Sequence, residues 1–202
     1  MKRTGFRFAN AQPKSRHARA TATLAAAVMA GGCIALASHN PMAPLQAYAR
    51  LSLQWKGARF ISRDRARLQQ TLNDCGPTAL ADLLDLAGLS VPPAENLRRL
   101  AGTRAGGTTL ADLSVASAVL GLPVFSVQWD PIDLDLLPLP SLVWVERRHF
   151  VVLARRARGD SLEVHDPAAG HYVMSVERFT RLWSGAALVP LESFSPRLKS
   201  GG

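Results

Sequence analysis

The chain has 202 residues, of which 48% are hydrophobic, and this composition is enough for one domain with a buried core and argues against long disordered segments. A formal net charge of +9 is typical of proteins that bind nucleic acid or an anionic membrane surface. The two cysteines, Cys33 and Cys75, are too few for a disulfide framework, and neither has the neighbours of a CxxC zinc or redox site.

The excess of positive charge lies at the N-terminal end. Residues 1–37 contain six Lys and Arg and no acidic residue, which leaves a net charge of +3 for the rest of the chain. Residues 20–38 carry no charge and consist mainly of Ala, Leu, Val, Met and Gly. A basic stretch followed by an apolar run is typical of an export signal. The charge therefore indicates a cellular compartment, and we predict no nucleic-acid partner.

Residues 1–37 are predicted to be a signal peptide or a membrane anchor, and three outcomes stay open. The triplet Ala-Leu-Ala at residues 35–37 fits the small-x-small pattern of a cleavage site. The segment that ends at Cys33 is similar to a bacterial lipobox, whose cysteine is lipidated; the other interpretation of Cys33 is an ordinary small residue. An uncleaved run of about 20 apolar residues can also span a bilayer. Each outcome predicts that residues 40–202 lie on the periplasmic side of a bacterial cell envelope, either soluble or anchored to the membrane.

Residues 38–63 contain prolines and side chains of mixed polarity, and we predict that they form a linker. Helices are predicted to follow. Residues 75–87 have apolar side chains spaced by three and four positions and stop before Gly88, which is the pattern of an amphipathic helix with a glycine stop. Two further helices are predicted at residues 92–101 and 108–120.

Beyond these helices the period of the sequence changes to that of strands. Short β-rich runs bounded by Pro, Gly and Asp predict a mostly antiparallel sheet. These runs are residues 123–128, 141–145, 150–155, 161–165 and 171–174. A final helix is predicted at residues 175–183 and a last strand at residues 186–191. Helices followed by strands indicate an α+β fold, which we place at residues 64–191 and which is followed by a flexible tail at residues 192–202.

Cys75 is the first candidate for chemistry. It lies where a polar loop enters the predicted helix, so unpaired backbone N–H groups and the positive end of the helix dipole surround its sulfur. Such a position lowers the pKa of a thiol and favours the nucleophilic thiolate. A lone cysteine is also often a buried small hydrophobic residue, and position alone does not decide between these interpretations.

His149 and Asp166 are predicted to lie close together on a β-hairpin. A loop made of Gly159 and Asp160 places His149 across from Gly170, whereas a longer loop centred earlier places it across from Asp166 itself. In either register the two residues are separated by only a few positions along the strands, and each position adds about 3.4 Å. A carboxylate could then orient the imidazole, which could pair with a thiolate. Taken singly, His149 could be a surface residue and Asp166 a turn-former before proline.

Three blocks of sequence together resemble the C39 cysteine peptidases, papain-like domains that cleave double-glycine leader peptides. Residues 69–81 (QQTLNDCGPTALA) are similar to the family's Q-x5-C-G-x-x-A-L-A block. Residues 139–142 and 149–152 (LPSL and HFVV) resemble its strand pair, and residues 166–170 (DPAAG) its DPxxG turn. The resemblance covers residues 64–191 and implies a papain-like α+β fold with N-terminal helices packed on the sheet.

The resemblance also implies roles for four residues. Cys75 is expected to be the nucleophile, His149 the general base and acid, Asp166 the orienting carboxylate and Gln69 the oxyanion-hole donor. A side-chain amide that acts with the backbone N–H of Cys75 would stabilise an oxyanion, and each such donor contributes about 3 kcal/mol. We therefore predict a cysteine endopeptidase that hydrolyses a peptide or secreted protein, with cleavage after small residues such as Gly.

The alternative function is a non-catalytic peptide-binding module of an envelope secretion or assembly system, whose components would be its partners. Exporter-fused family members carry an ATPase, but this chain has no GxxxxGK[ST] motif, so no ATP use is implied. No pair of histidines has metal-ligand spacing with a third ligand nearby in sequence, so we predict neither a metal nor another cofactor. His165 is expected on the sheet face opposite to Asp166, and His171 near the site.

Overall fold

The computed structural model describes residues 40–61 and 66–194. The chain divides into a unit of residues Met1–Pro41 and a unit of residues Met42–Gly202, and nearly all described residues belong to the second. The predicted signal segment with Cys33, and most of the predicted tail, lie outside the described residues. Among the residues described, no helix has both the length and the apolar character needed to cross a membrane.

Helices precede most of the strands in the described chain. The α-helices are α1 (Ala43–Trp55), α2 (Cys75–Leu86), α3 (Ala94–Leu100), α4 (Leu110–Val119) and α5 (Val176–Thr180). The strands are β1 (Arg59–Phe60), β2 (Val124–Gln128), β3 (Ser141–Val145), β4 (His149–Ala157), β5 (Ser161–Asp166), β6 (Gly170–Ser175) and β7 (Trp183–Pro190). Two 3₁₀ helices lie at Pro131–Leu136 and Leu191–Phe194.

The strands form one antiparallel sheet with the order β1-β6-β5-β4-β3-β7-β2. Because side chains alternate between the two faces of a strand, the sheet has a hydrophobic core on each side. Phe150 and Val152 of β4 belong to the core beneath helices α2, α3 and α4, whereas Val151 and Leu153 belong to the core on the other face. This arrangement confirms the predicted α+β class.

Helix α2 is the helix predicted from the apolar spacing of residues 75–87. Leu80, Leu83 and Leu84 are fully buried on the side that packs against β4. Each buried leucine contributes about 1.5–3 kcal/mol to stability, so this one side anchors the helix to the sheet. Gly88 has a φ of +74°, the left-handed conformation that glycine adopts without strain, and the helix stops just before it. The position of Cys75 at the first residue of α2 is therefore fixed by packing further along the helix.

The predicted linker at residues 38–63 differs from the structure, where it contains helix α1 and strand β1. Pro44 lies in the first turn of α1, where proline is compatible with a helix. The pattern misleads because the side of α1 that faces the domain includes the buried polar residue Gln46, whereas Tyr48 and Trp55 are exposed. The residues of this helix therefore lack the apolar periodicity from which a packed helix is predicted.

The final helix is shorter than predicted. Residues 175–183 carry a helical pattern, but α5 covers only Val176–Thr180, and Trp183 is the first residue of β7. Trp183 is 3% exposed and pairs with Val145 of β3. Burial of this large side chain in the sheet overrides the helical propensity of the residues before it.

Candidate active site

Cys75 is half-buried at the N-terminus of α2, as its position in the sequence predicts. Burial raises the pKa of its thiol, but hydrogen bonding with His149, the charge of that imidazole, and backbone N–H groups of Phe150 and Gly76 together bring the pKa below its ordinary value of 9.0. The thiol therefore has the surroundings of a reactive cysteine rather than those of an inert core residue.

An ion pair that sequence analysis missed fixes the loop before Cys75. Asp74 is 3% exposed, and its carboxylate accepts a hydrogen bond from the backbone N–H of Thr71 at 3.1 Å. Arg98 of α3 binds the same carboxylate through Nε at 2.8 Å and through a second, close contact from Nη2. The two charges are 24 residues apart, so no local sequence signal pairs them.

His149 and Asp166 meet through a hydrogen bond of 2.7 Å between Nε2 and Oδ1. Neither predicted register is the observed one: Ala157 pairs with Ser161, and a bulge between Leu153 and Arg155 shifts the ladder so that Leu153 pairs with Val164. The prediction that the two side chains approach one another is confirmed. Because Nε2 is held by Asp166, Nδ1 is the ring nitrogen available to Cys75.

The imidazole of His149 is held in its charged form. Burial lowers its pKa, but the carboxylate of Asp166 and the thiol of Cys75 outweigh this effect and raise the pKa from 6.5 to about 10. Asp166 is itself 5% exposed, and it also accepts a hydrogen bond of 2.7 Å from the backbone N–H of Ala168. A raised imidazole pKa beside a lowered thiol pKa favours a thiolate and imidazolium pair at neutral pH.

Gln69 lies in the same cleft as His149 and Asp166 and is 4% exposed. Its Nε2 donates to the carbonyl oxygen of Thr71 at 2.9 Å, and its Oε1 is buried without a hydrogen-bond partner. Its backbone N–H donates to the carbonyl of Pro167 at 2.8 Å, so Gln69 is attached to the turn that follows Asp166. An amide nitrogen has two hydrogens, and one is left for a substrate oxygen.

Helix α1 contacts each of the three segments that carry these cleft residues. Gln46 Nε2 donates a buried hydrogen bond of 3.1 Å to the carbonyl oxygen of Gln69. Arg50 Nη1 donates to the carbonyl of Ala169, in the turn after Asp166, at 2.6 Å. Lys56, directly after α1, forms an ion pair with Glu146, three residues before His149. Sequence analysis missed all three contacts because it assigned α1 to a linker.

The turn between β3 and β4 has a strained backbone. Glu146 and Arg147 have φ angles of 49° and 55°, a left-handed conformation that costs a residue other than glycine about 1–2 kcal/mol. The backbone N–H of Glu146 donates to the carbonyl of Leu182 at 2.8 Å, and this bond and the Lys56 ion pair hold the turn in place. Since β4 begins at His149, this turn sets the point where the imidazole enters the cleft.

These elements enclose a cleft of about 300 Å³. It is lined by residues of α1, the loop before α2, the β3–β4 turn, the Asp166–Gly170 turn, strand β6 and the segment before β7: Leu45, Tyr48, Ala49, Ser52, Leu53, Lys56, Gln69, Leu72, Val145, Glu146, Arg148, His149, Asp166, Ala168, Tyr172 and Leu182. Tyr48 is 70% exposed and Leu72 is 71% exposed, so apolar side chains form the rim of the cleft. The cleft can therefore offer an apolar surface to a peptide that approaches His149.

The profile of the Peptidase C39 family matches residues 64–195, which is more than half of the chain. The chain belongs to the Peptidase C39 family. The matched residues include Gln69, Cys75, His149 and Asp166, so all four candidate site residues lie within the C39 domain. Helix α1 and strand β1 precede the matched residues, and residues of α1 line the same cleft.

Two curated relatives come from different bacteria. The lactococcin-G-processing and transport ATP-binding protein LagD of Lactococcus lactis subsp. lactis is 27% identical over 127 residues, which cover 60% of this chain and 18% of LagD. The probable functional amyloid protease FapD of Pseudomonas aeruginosa is 28% identical over 127 residues, which cover 58% of this chain and 56% of FapD. The chain thus spans less than two thirds of the length of either relative.

Solved structures of C39 domains share the fold. The double-glycine-motif protease from an AMS/PCAT transporter, in complex with its leader peptide, matches with a TM-score of 0.58 and 25% identity over 65% of this chain and 93% of that one. The peptidase domain of Streptococcus ComA, a bifunctional ABC transporter, matches with a TM-score of 0.54 and 30% identity over 61% of this chain and 96% of that one. These matches confirm the predicted papain-like fold.

A second cluster of titratable side chains lies in the C39 domain. Asp82, His165 and His171 each offer a ligand atom within 4.8 Å of the others, although the spacing of the histidines in the sequence predicts no metal site. His165 and Asp166 are neighbours in β5, so their side chains leave opposite faces of the strand, as predicted. His171 pairs with His165 on β6, which places this residue with the second cluster.

Proposed function

We propose that the protein is a cysteine endopeptidase in which Cys75 is the nucleophile and His149 the general base and acid. The observation that carries this proposal is the continuous line from Cys75 through His149 to Asp166. In that line the thiol pKa is lowered and the imidazole pKa is raised to about 10. A C39 domain that served only to bind peptides would not need a thiol activated in this way.

The geometry supports a two-step hydrolysis. The thiolate of Cys75 attacks the carbonyl carbon of the scissile peptide bond, and the imidazolium of His149 gives its proton to the departing amine nitrogen. A water molecule then attacks the thioester while His149 takes a proton from that water, and the sulfur of Cys75 is released as the new carboxyl group forms. Asp166 keeps the imidazole oriented and stabilises its charged form throughout.

Gln69 supplies the second group that this reaction needs. The oxygen of the scissile carbonyl becomes negative when sulfur attacks, and it requires hydrogen-bond donors already in place. The side-chain amide of Gln69 offers the N–H that Thr71 does not use. The backbone N–H of Cys75 is the natural second donor, because N–H groups in the first turn of a helix have no partner within the helix.

We infer that the substrate is a peptide or a secreted polypeptide that is cut after small residues such as Gly. Support comes from the similarity to a double-glycine-motif protease bound to a leader peptide and to a probable functional amyloid protease. Because residues 1–37 carry the pattern of an export signal, we propose that the protein acts in the bacterial cell envelope, on the periplasmic side. Components of an envelope secretion or assembly system are the partners that we propose there.

Thiol labelling tests the chemistry directly. In the full-length chain with Cys33→Ser, iodoacetamide should alkylate Cys75 at about pH 6 at least ten times faster than a model thiol, because the ordinary thiol pKa leaves almost no thiolate there. A rate no faster than that of the model thiol would rule out an activated nucleophile. Mass spectrometry of tryptic peptides locates the label.

Peptide termini in the cell test the function itself. Envelope peptides are compared between cells that carry the wild-type chain and cells that carry Cys75→Ala, with wild-type complementation as the control. New termini after small residues should be present only with the wild type and the complemented strain. If the termini are the same in all strains while the Cys75→Ala chain still retains a peptide, the non-catalytic binding module is the better description.

A further inference from the structure

The three residues Asp82, His165 and His171 come from elements that are distant in sequence. Asp82 lies two turns along α2 from Cys75, and the two histidines form a cross-strand pair at the end of the β5–β6 hairpin. Their ligand atoms lie within 4.8 Å of one another. The imidazole rings are stacked, with centroids 3.6 Å apart. The fold thus brings two imidazoles and one carboxylate together on the side of the sheet opposite to Asp166.

Two polar atoms in this cluster are buried and have no hydrogen-bond partner. They are Oδ2 of Asp82 and Nε2 of His171. Asp82 is 2% exposed, so its carboxylate has given up almost all contact with water. Buried polar atoms nearly always have a partner, and two unpartnered atoms in one cluster are exceptional. A bound ion that accepts lone pairs from both would account for them.

Neighbouring side chains bind one polar atom in each of two of these groups and leave a second atom for an ion. Arg67 donates from Nη1 to Oδ1 of Asp82 at 3.0 Å and leaves Oδ2 for another partner. His165 Nε2 lies 3.3 Å from Oε1 of Glu163, so Nδ1 is the nitrogen that would face an ion. A ligating histidine commonly gives its other ring nitrogen to a carboxylate in this manner.

We propose that Asp82, His165 and His171 form a binding site for a divalent transition-metal ion of the Zn²⁺ class. Two imidazoles and one carboxylate are a ligand set that Zn²⁺ favours, with water in the fourth position. Binding rotates the stacked rings about χ2, because an ion must lie in the plane of each imidazole that ligates it. Bonds of about 2.0–2.1 Å also draw the three ligand atoms closer than they lie in the protein alone.

The ion joins the two elements that carry the candidate catalytic residues. Helix α2 begins at Cys75, and His165 and His171 flank the turn that holds Asp166. A metal bound at this site therefore ties the nucleophile helix to the hairpin of the orienting carboxylate. Its role is structural, and the proposal does not depend on peptidase activity.

Metal binding is measured with the full-length chain carrying Cys75→Ala and Cys33→Ser, so that no thiol competes for the ion. Titration calorimetry with ZnCl₂ should give one site per chain. Adding His171→Ala or Asp82→Asn should weaken binding at least tenfold, because each removes a ligand. Asp85→Asn is the matched control: Asp85 is the other carboxylate that binds Arg67, but it is not part of the cluster, so binding should be unchanged.

A second measurement separates this site from any other. Co²⁺ in place of Zn²⁺ should give a visible spectrum without a thiolate charge-transfer band, and His171→Ala should abolish it. Zn²⁺ should also raise the Tm of the variant that carries Cys75→Ala and Cys33→Ser. It should not raise the Tm when Asp82→Asn is added to this variant, and circular dichroism checks that the added substitution still allows folding. Failure to bind one equivalent of Zn²⁺, or equal affinity in Asp82→Asn and Asp85→Asn, would overturn the proposal.

Discussion

Asp166 determines the charge of His149, which lies beside it in the cleft. Its carboxylate accepts a hydrogen bond from His149 at 2.7 Å, and its charge is the main cause that raises the pKa of the imidazole. The charged imidazole in turn lowers the pKa of Cys75. A substitution at Asp166 should therefore change the reactivity of the Cys75 sulfur, although the hydrogen bonds described for Asp166 are with His149 and Ala168.

Asp166→Asn should lower the alkylation rate of Cys75 at about pH 6 by at least tenfold. The reason is that a fall of one unit in the imidazole pKa, or a rise of one unit in the thiol pKa, reduces the population of the thiolate and imidazolium pair about tenfold. As pH rises toward about 10, more of the variant's thiol is ionised, so the two rates should approach one another. Iodoacetamide rates across this range measure the effect. Asp133→Asn, at an exposed position, is the control. Equal rates at low pH would mean that Asp166 has no influence on the thiolate.

At the scale of elements, the residues of the candidate site could be predicted but their support could not. Helix α2 and most strands follow from apolar spacing, because their packing is set by local periodicity. Helix α1 does not, because the contacts that attach it to the turns of the site are polar: Gln46 and Arg50 bind carbonyl oxygens of distant turns. Such contacts have no period, and they can be found only once the turns are in place.

Helix α1 should stabilise the domain through Gln46. Gln46→Ala leaves the carbonyl oxygen of Gln69 buried without this donor, and such a loss costs about 1–3 kcal/mol. Urea denaturation should show a decrease of that size in the free energy of unfolding. Gln54→Ala, on the exposed side of the same helix, should change stability by less than about 0.5 kcal/mol. Equal effects of the two substitutions would contradict a specific role for the buried contact.

For the whole molecule, sequence predicted the class of fold and the approach of His149 to Asp166, but not the register that produces it. The bulge between Leu153 and Arg155 is a cooperative property of the sheet and has no glycine or proline to mark it. The cluster of Asp82, His165 and His171 was missed for a related reason. Its members meet only because α2 packs on the sheet beside the paired strands β5 and β6.

The stability of the whole domain should depend on the proton that His149 holds. Its pKa is about 10 in the folded protein against an ordinary value of 6.5, so the folded state binds a proton that the unfolded state releases between these values. The stabilisation is fully present below pH 6.5 and is lost as pH rises toward about 10. Urea denaturation of Cys75→Ser, in which only the imidazole of this pair titrates, should show stability falling as pH rises above 6.5. The fall should end at a lower pH than in the wild type, because Asp166 still raises the pKa of His149 but the thiol no longer does. His149→Gln in the same background should flatten the fall, and an unchanged slope would mean that His149 is not charged in the folded protein.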